Sequence, residues 1–205
     1  MGFLSSLNVL VLSNNNLHGK IPSSLQNCSF WSIDLGGNHL SGNLPSWIKS
    51  DILILHLRSN LFSGIIPRQW CNLHFLRILD LARNNLFNGI PNYFDNLTTL
   101  VYGNSSQISF FEFNYIEKAI TVTKGRDVEY GSTLKFVNSI DLSGNNLTRG
   151  IPDELTSLAE LGTLNLSMNH LTGNIPKNIG NLRWLETLDL SKNISLVLFL
   201  KVCLL

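Results

Sequence analysis

One pattern, L-x-x-L-x-L-x-x-N-x-L-x-G-x-I-P, recurs about every 24 residues and constrains the fold more than any other feature of the chain. It appears seven times, the last incompletely. The first copy runs Leu7, Leu10, Leu12, Asn15, Leu17, Gly19, Ile21, Pro22. Further copies start at Phe30, Ile52, Leu76, Val137, Leu161 and Leu185. In the fourth and fifth copies the glycine slides one place, to Gly89 and Gly150.

Each L-x-L centre is a short alternating apolar segment and reads as one strand. A single strand of this kind cannot bury its own inner face, so the copies stack into a solenoid with a continuous core. The spacing predicts short parallel strands on a concave face, with turns and short 3-10 helices on the convex side. A helical turn is expected after each I-P, as at 23–27. The turn after each strand leaves backbone groups inside the stack. An asparagine amide donates and accepts at once, so Asn15, Asn38, Asn60, Asn84, Asn145, Asn169 and Asn193 are expected to form a structural ladder. Glycine and proline punctuate the return path.

Composition limits the function. The net charge of +1 gives no strong pull on nucleic acid or an anionic membrane. The cysteines Cys28, Cys71 and Cys203 are odd in number, contain no C-x-x-C, and cannot form a fully paired framework. The histidines are scattered, so no metal or other cofactor is indicated. No phosphate-binding glycine loop, kinase segment or G-x-S-x-G elbow is present, and the chain does not read as an enzyme. Asp34, Asp80, Asp141 and Asp189 recur at one strand place, outward by periodicity, and are no acid–base pair. Six N-x-S/T sequons, at Asn27, Asn96, Asn104, Asn146, Asn165 and Asn193, favour a secretory history. Asn27, Asn96 and Asn104 are the expected glycan acceptors, whereas Asn193 holds a ladder place and should be buried.

The period breaks between the fourth and fifth copies. The chain therefore divides into repeats one to four (1–100), an insertion (101–136), repeats five to seven (137–193) and an apolar tail (194–205). Alternating β-branched residues from Ala119 to Lys124 predict one or two short strands in the insertion. Insertions in repeat arrays commonly carry function. On the concave face the strand places expected to meet solvent include Trp31, His56, Arg58, Arg77 and Arg83, an arginine cluster with one aromatic that suits a peptide.

The G-x-I-P form of the repeat, Val122-Thr123-Lys124-Gly125-Arg126 followed by Glu129-Tyr130, and Val137-Asn138-Ser139-Ile140-Asp141-Leu142-Ser143 resemble the island and following repeat of plant leucine-rich-repeat receptor-like proteins. Tyr115, Lys124 and Gly125 fit the family's Y-x8-K-G pattern, and Lys124 with Tyr130 its K-x5-Y pattern. The resemblance implies a plant-type leucine-rich-repeat superhelix interrupted by an island insertion. It implies a non-catalytic surface receptor in defence or developmental signalling. A peptide or microbial protein would be the ligand, and a leucine-rich-repeat receptor kinase the co-receptor. Tyr115, Lys124, Gly125 and Tyr130 would engage ligand or co-receptor, with repeats five to seven adding docking surface. The parent protein would face outward at the plasma membrane.

The chain departs from that family in places. Met1-Gly2-Phe3-Leu4 runs into a repeat without a signal peptide or a cysteine-bearing cap. The tail from Ile194 is shorter than the roughly 20 apolar residues of a membrane span. Tyr93 stands where relatives often carry a cysteine that pairs with one like Cys71. Two alternatives stay open. One is a secreted inhibitor of microbial wall-degrading enzymes, since some plant solenoids of this repeat type act that way, although the insertion argues against it. The other, which these departures favour, is an inert truncated product.

Overall fold

The computed structural model describes residues 6–103, 119–123, 126–130 and 137–197, with backbone alone for 119–130 and 195–197. Numbered along the chain, β1 (Val9–Val11), β3 (Ser32–Asp34), β5 (Ile54–His56), β7 (Ile78–Asp80), β11 (Ser139–Asp141), β13 (Thr163–Asn165) and β15 (Thr187–Asp189) form one seven-stranded parallel sheet in that order. Each is the L-x-L centre of one copy. Stacking buries the central leucine rows, with Leu55, Leu79, Ile140 and Leu164 at 0–1% exposure. Each such side chain contributes about 1.5–3 kcal/mol relative to leaving it in water.

The return path carries 3-10 helices where the I-P pairs predict them, at Ser23–Asn27, Arg68–Asn72, Asn92–Asn96, Asp153–Ser157 and Ile179–Asn181. A second sheet is an addition to the sequence reading. Strands β2 (His18–Gly19), β4 (His39–Asn43), β6 (Leu61–Gly64), β8 (Asn85–Asn88) and β12 (Asn146–Leu147) pair in parallel just past the asparagines. These segments are only two to five residues long, so their sequence shows no alternation to read. The apolar tail also joins in: β16 (Ser195–Val197) pairs with β14 (Thr172–Asn174), so the seventh repeat continues past Asn193.

The asparagine ladder has one recurring geometry. Asn84 Nδ2 donates to its own Leu81 and Ala82 carbonyls and to Leu57 of the preceding repeat, and its Oδ1 accepts from Phe62 N–H. Asn38, Asn60, Asn145, Asn169 and Asn193 each repeat this link to the preceding copy, as Leu17 N–H to Asn38 and Leu171 N–H to Asn193 illustrate. Asn15 is exposed and, among the described residues, its side chain bonds to its own Leu12 and Ser13 carbonyls. Asn193 keeps its ladder bonds but is only partly buried, short of the burial expected of it.

The residue before each of these asparagines is left-handed: Asn14, Gly37, Ser59, Arg83, Gly144, Met168 and Lys192 have φ between 52° and 64°. The turn that aims the amide inward therefore costs about 1–2 kcal/mol wherever the residue is not glycine. A second left-handed place lies three residues before the proline, at Gly19, Gly42, Gly64 and Gly173. The slid glycines do not move this turn. Asn88 (φ 76°) and Arg149 (φ 69°) hold it instead.

The insertion leaves the stack unbroken. Strand β7 pairs directly with β11, Leu79 opposite Ile140, and β8 with β12. Leu81 N–H donates to Asp141 O at 2.9 Å, and Asn145 reaches back to Leu81 O and Leu86 N–H. Val137 does not fill the first apolar place of repeat five, as its position in the motif suggested. It is half-buried against Leu53, Ile54 and Ile78. The vacant core place belongs to Leu100, fully buried in the main core with Leu76 and Leu161. Leu100 lies in the short helix α1 (Thr98–Tyr102), which stacks through Thr99 N–H to His74 O and Glu160 N–H to Leu100 O. Repeat five is thus split, its first leucine before the insertion and the rest after it. Within the insertion, β9 (Ala119–Thr123) and β10 (Arg126–Tyr130) form an antiparallel pair, Thr123 opposite Arg126.

Candidate functional site

The turns of repeats one to four enclose a polar cleft of about 200 Å³ on the concave side. Its floor is Gly36 and Gly37, where repeat two carries no side chain. Ser13 and Asn14 of repeat one form one wall. Arg58 and Ser59 of repeat three form the other, with Arg83 beyond them and the strand residues Asp34 and His56 below. A Cβ at Gly36 would lie 3.3 Å from Arg58 Cγ, and one at Gly37 2.4 Å from Asn14 Oδ1, so the side chains of the neighbouring repeats close over both glycines and any larger residue must displace them. Gly37 is also left-handed, at φ 64°.

The structure brings together three of the five concave-face candidates. His56, Arg58 and Arg83 line the cleft. Arg83 is exposed, held at the left-handed place before Asn84. Two of the five are corrected as solvent-facing residues. His56 and Arg77 are each only 4% exposed. Adjacent parallel strands lie about 4.8 Å apart, so long side chains in one row shield each other. Arg77 Nη1 donates to Asn138 Oδ1 at 3.0 Å, and Asn138 Nδ2 donates to Glu160 O at 2.8 Å. Arg77 therefore links repeat four to repeats five and six. Burial lowers its basicity, partly offset by Glu160. Trp31 is half-buried against the Leu53, Ile54 and Ile78 cluster and does not join the cleft.

The recurrent aspartates have a structural explanation that periodicity alone did not supply. Asp34, Asp80, Asp141 and Asp189 each accept, through Oδ1, the N–H two residues on, at 2.9–3.1 Å. Asn165 does the same for Ser167. The carboxylates cap the turn that follows the strand. Their outward placement is corrected for Asp80 and Asp141, which are 2% and 3% exposed. Burial and the neighbouring Asp141 push the Asp80 carboxyl up to about 7, against the pull of Arg58, whose Nε lies 3.6 Å from Asp80 Oδ2. Burial likewise raises Asp141.

His56 replaces the capping residue in repeat three, with Asp34 and Asp80 as its register partners on either side. Desolvation draws its imidazole down to about 4, against the pull of Asp34. Its Nε2 is buried without a hydrogen-bond partner. Only its break from the Asp/Asn row signalled this in the sequence.

Of the insertion candidates, Tyr130 closes β10, while Tyr115, Lys124 and Gly125 lie outside the described residues. Among the sequons, Asn27, Asn96 and Asn146 are exposed, and Asn104 lies outside the described residues. The Asn165 amide is tied to Asp141 and Ser167. Cys28 is buried and Cys71 half-buried, both as thiols. Tyr93 donates its hydroxyl to Ile66 O at 2.8 Å. Among the described residues no cluster of histidine, cysteine or acid could hold a metal, and no helix is long and apolar enough to cross a membrane.

The Leucine Rich Repeat family model matches residues 6–28, 29–50, 75–97, 136–158 and 160–182. Receptor-like protein EIX2 of Solanum lycopersicum is 39% identical over 152 residues, covering 67% of this chain and 15% of that protein. Receptor-like protein 54 of Arabidopsis thaliana is 35% identical over 194 residues, covering 76% and 24%. The chain thus spans less than a quarter of the length of either relative. Among solved structures, a TDR receptor superposes with a TM-score of 0.72 at 27% identity, over 95% of this chain and 28% of that one. The Arabidopsis receptor kinase HAESA, in complex with the peptide hormone IDA and the co-receptor SERK1, superposes at 0.70 with 26% identity, over 92% and 26%. The repeat, its unbroken ladder and these matches agree: the chain belongs to the leucine-rich-repeat family, and the relatives it resembles are plant receptor-like proteins.

Proposed function

We propose that this chain is the ligand-recognition and co-receptor-docking part of a plant cell-surface receptor-like protein acting in defence or development, without catalysis of its own. The observation that carries the reading is the ladder running unbroken past the insertion. It makes one rigid frame from the concave cleft, the insertion's point of departure and the repeats that follow. A peptide or microbial protein would lie along the concave side, with Arg58 and Arg83 among its contacts. Tyr115, Lys124, Gly125 and Tyr130 of the insertion, and the edge of repeats five to seven, would meet the ectodomain of a leucine-rich-repeat receptor kinase. The IDA-bound HAESA complex with SERK1 is a relative in fold that holds both kinds of partner at once. The parent protein would then sit at the plasma membrane, facing outward, with glycans on Asn27, Asn96 and Asn104.

The test is biolayer interferometry of the secreted, glycosylated chain, capped at both ends, against the ectodomain of such a co-receptor kinase. Saturable binding that Lys124→Glu and Tyr130→Ala both weaken supports the reading. Absence of binding by a folded chain contradicts it.

A further inference from the structure

The Gly36–Gly37 notch is peculiar to repeat two. The place of Gly36 is held elsewhere by Ser13, Arg58, Ala82, Ser143, Ser167 and Ser191. The cleft has the size of one side chain, with a volume of about 200 Å³, and no phenylalanine, tyrosine or tryptophan lines it. A helix or a stacked sugar ring has no place there.

The charges around it are not balanced. Asp34 spends Oδ1 on Gly36 N–H at 3.0 Å, and Arg58 lies 3.6 Å from Asp80. Arg83 is exposed and makes no ion pair among the described residues. His56 Nε2, on a side chain 4% exposed that lines the cleft, has no hydrogen-bond partner. A buried polar atom left in that state costs about 1–3 kcal/mol, which an acceptor reaching Nε2 in its protonated tautomer would recover. An acceptor that is also an anion satisfies Arg83 as well.

We propose that the notch over Gly36 and Gly37 seats one acidic side chain of a peptide or protein ligand, its carboxylate held by Arg83 and by His56 Nε2–H. The proposal rests on the reading of the concave side as a ligand-binding face. It adds which ligand chemistry that face selects and which repeat selects it. A neutral amide of the same shape brings no charge to Arg83. A residue with a Cβ at place 36 crowds Arg58, which lines the cleft, and reshapes the seat of the carboxylate.

Three capped tripeptides test this on the full chain: Ac-Gly-Asp-Gly-amide, its Asn counterpart and its phosphoserine counterpart. The readout is NMR of the backbone amides and arginine Nε–H groups. The Asp peptide is expected to shift the Gly36 and Gly37 amides and Arg83 Nε–H saturably, and the Asn peptide to leave them in place. Arg83→Gln is expected to weaken the Asp peptide about tenfold, the loss of one charged hydrogen bond. Gly36→Ser is expected to weaken it at least as much. Serine stands at this place in four other repeats, so the fold tolerates it, as an unchanged amide spectrum elsewhere would verify. Equal responses to Asp and Asn, a response to phosphoserine alone, or a folded Gly36→Ser chain that binds like the parent would each overturn the proposal. Co-receptor binding that persists in both variants while the tripeptide response is absent sinks the notch and leaves the receptor reading standing. The reverse outcome sinks the receptor reading alone.

Discussion

The junction between repeats three and four is made by 24 residues of chain between Asn60 and Asn84, and that between repeats four and five by 61, yet the bonds are the same. Phe62 N–H meets Asn84 Oδ1 at 3.0 Å, and Leu86 N–H meets Asn145 Oδ1 at 3.0 Å. Asn84 Nδ2 reaches Leu57 O, and Asn145 Nδ2 reaches Leu81 O, again both at 3.0 Å. Stacking is therefore set by the faces that neighbours present, while the loop between them adds only a slowly growing closure entropy. What differs is the concave row. The ordinary junction sets His56 beside Asp80, and the interrupted one sets Asp80 beside Asp141.

The strongest test of this equivalence is removal of the ladder amides. Asn84→Ala and Asn145→Ala each leave several buried backbone groups unpaired and are expected to destabilise by roughly 2–4 kcal/mol. Urea unfolding should give the same loss for both within about 0.5 kcal/mol. A much smaller loss for Asn145→Ala would show the interrupted junction to be loose.

The concave row separates the junctions through pH. Asp80, raised to about 7, holds its proton more tightly when folded, so its contribution falls as pH rises from about 4 to 7. His56, lowered to about 4, binds its proton more tightly when unfolded, so its contribution rises from about 4 to 6.5. In the parent chain the two slopes oppose and largely cancel. His56→Asn should unmask a stability that falls with pH across this window, and Asp80→Asn should turn the slope towards rising, against the remaining opposite contribution of Asp141. Each slope is up to about 1.4 kcal/mol per pH unit. Thermal melts from pH 4 to 7 read both slopes, and an Asp80→Asn slope no more positive than that of His56→Asn would refute the assignment.

Arg77 supplies a link that the ordinary junction lacks. Arg77→Met removes the bond to Asn138 but keeps the buried stem, and is expected to cost about 1–2 kcal/mol by urea unfolding. The left-handed turn offers the smallest effect. Arg149→Gly should stabilise the chain by roughly 1 kcal/mol, because glycine carries no Cβ penalty at φ 69°. No gain would mean that Arg149 is held there by contacts outweighing the strain, its Cδ lying 3.3 Å from where a Gly89 Cβ would be.

Where the sequence repeats a residue for a local reason, the structure was legible. The leucines, the asparagines and the I-P pairs announce the strands, the ladder and the 3-10 helices by type and spacing. The second sheet was not legible, because segments as short as His39–Asn43 and Leu61–Gly64 leave no apolar period to read. Nor was the role of Leu100, since the motif offers Val137 at the expected distance and only packing distinguishes the two. At the candidate site the residue types were readable but not their exposure. Whether Arg77 meets solvent or Asn138 depends on a residue 61 places away.

The measurement closest to the central claim is a chain lacking residues 101–137. Joining Leu100 to Asn138 restores the 24-residue spacing between Asn84 and Asn145. The N–H groups of Leu81 and Leu86 both bond across that junction, to Asp141 O and Asn145 Oδ1. Their hydrogen exchange, followed by NMR, should stay within about tenfold of the parent chain's, a change of no more than roughly 1.4 kcal/mol. Exchange at the rate of exposed amides would show that repeats four and five do not form one stack, and would contradict the account.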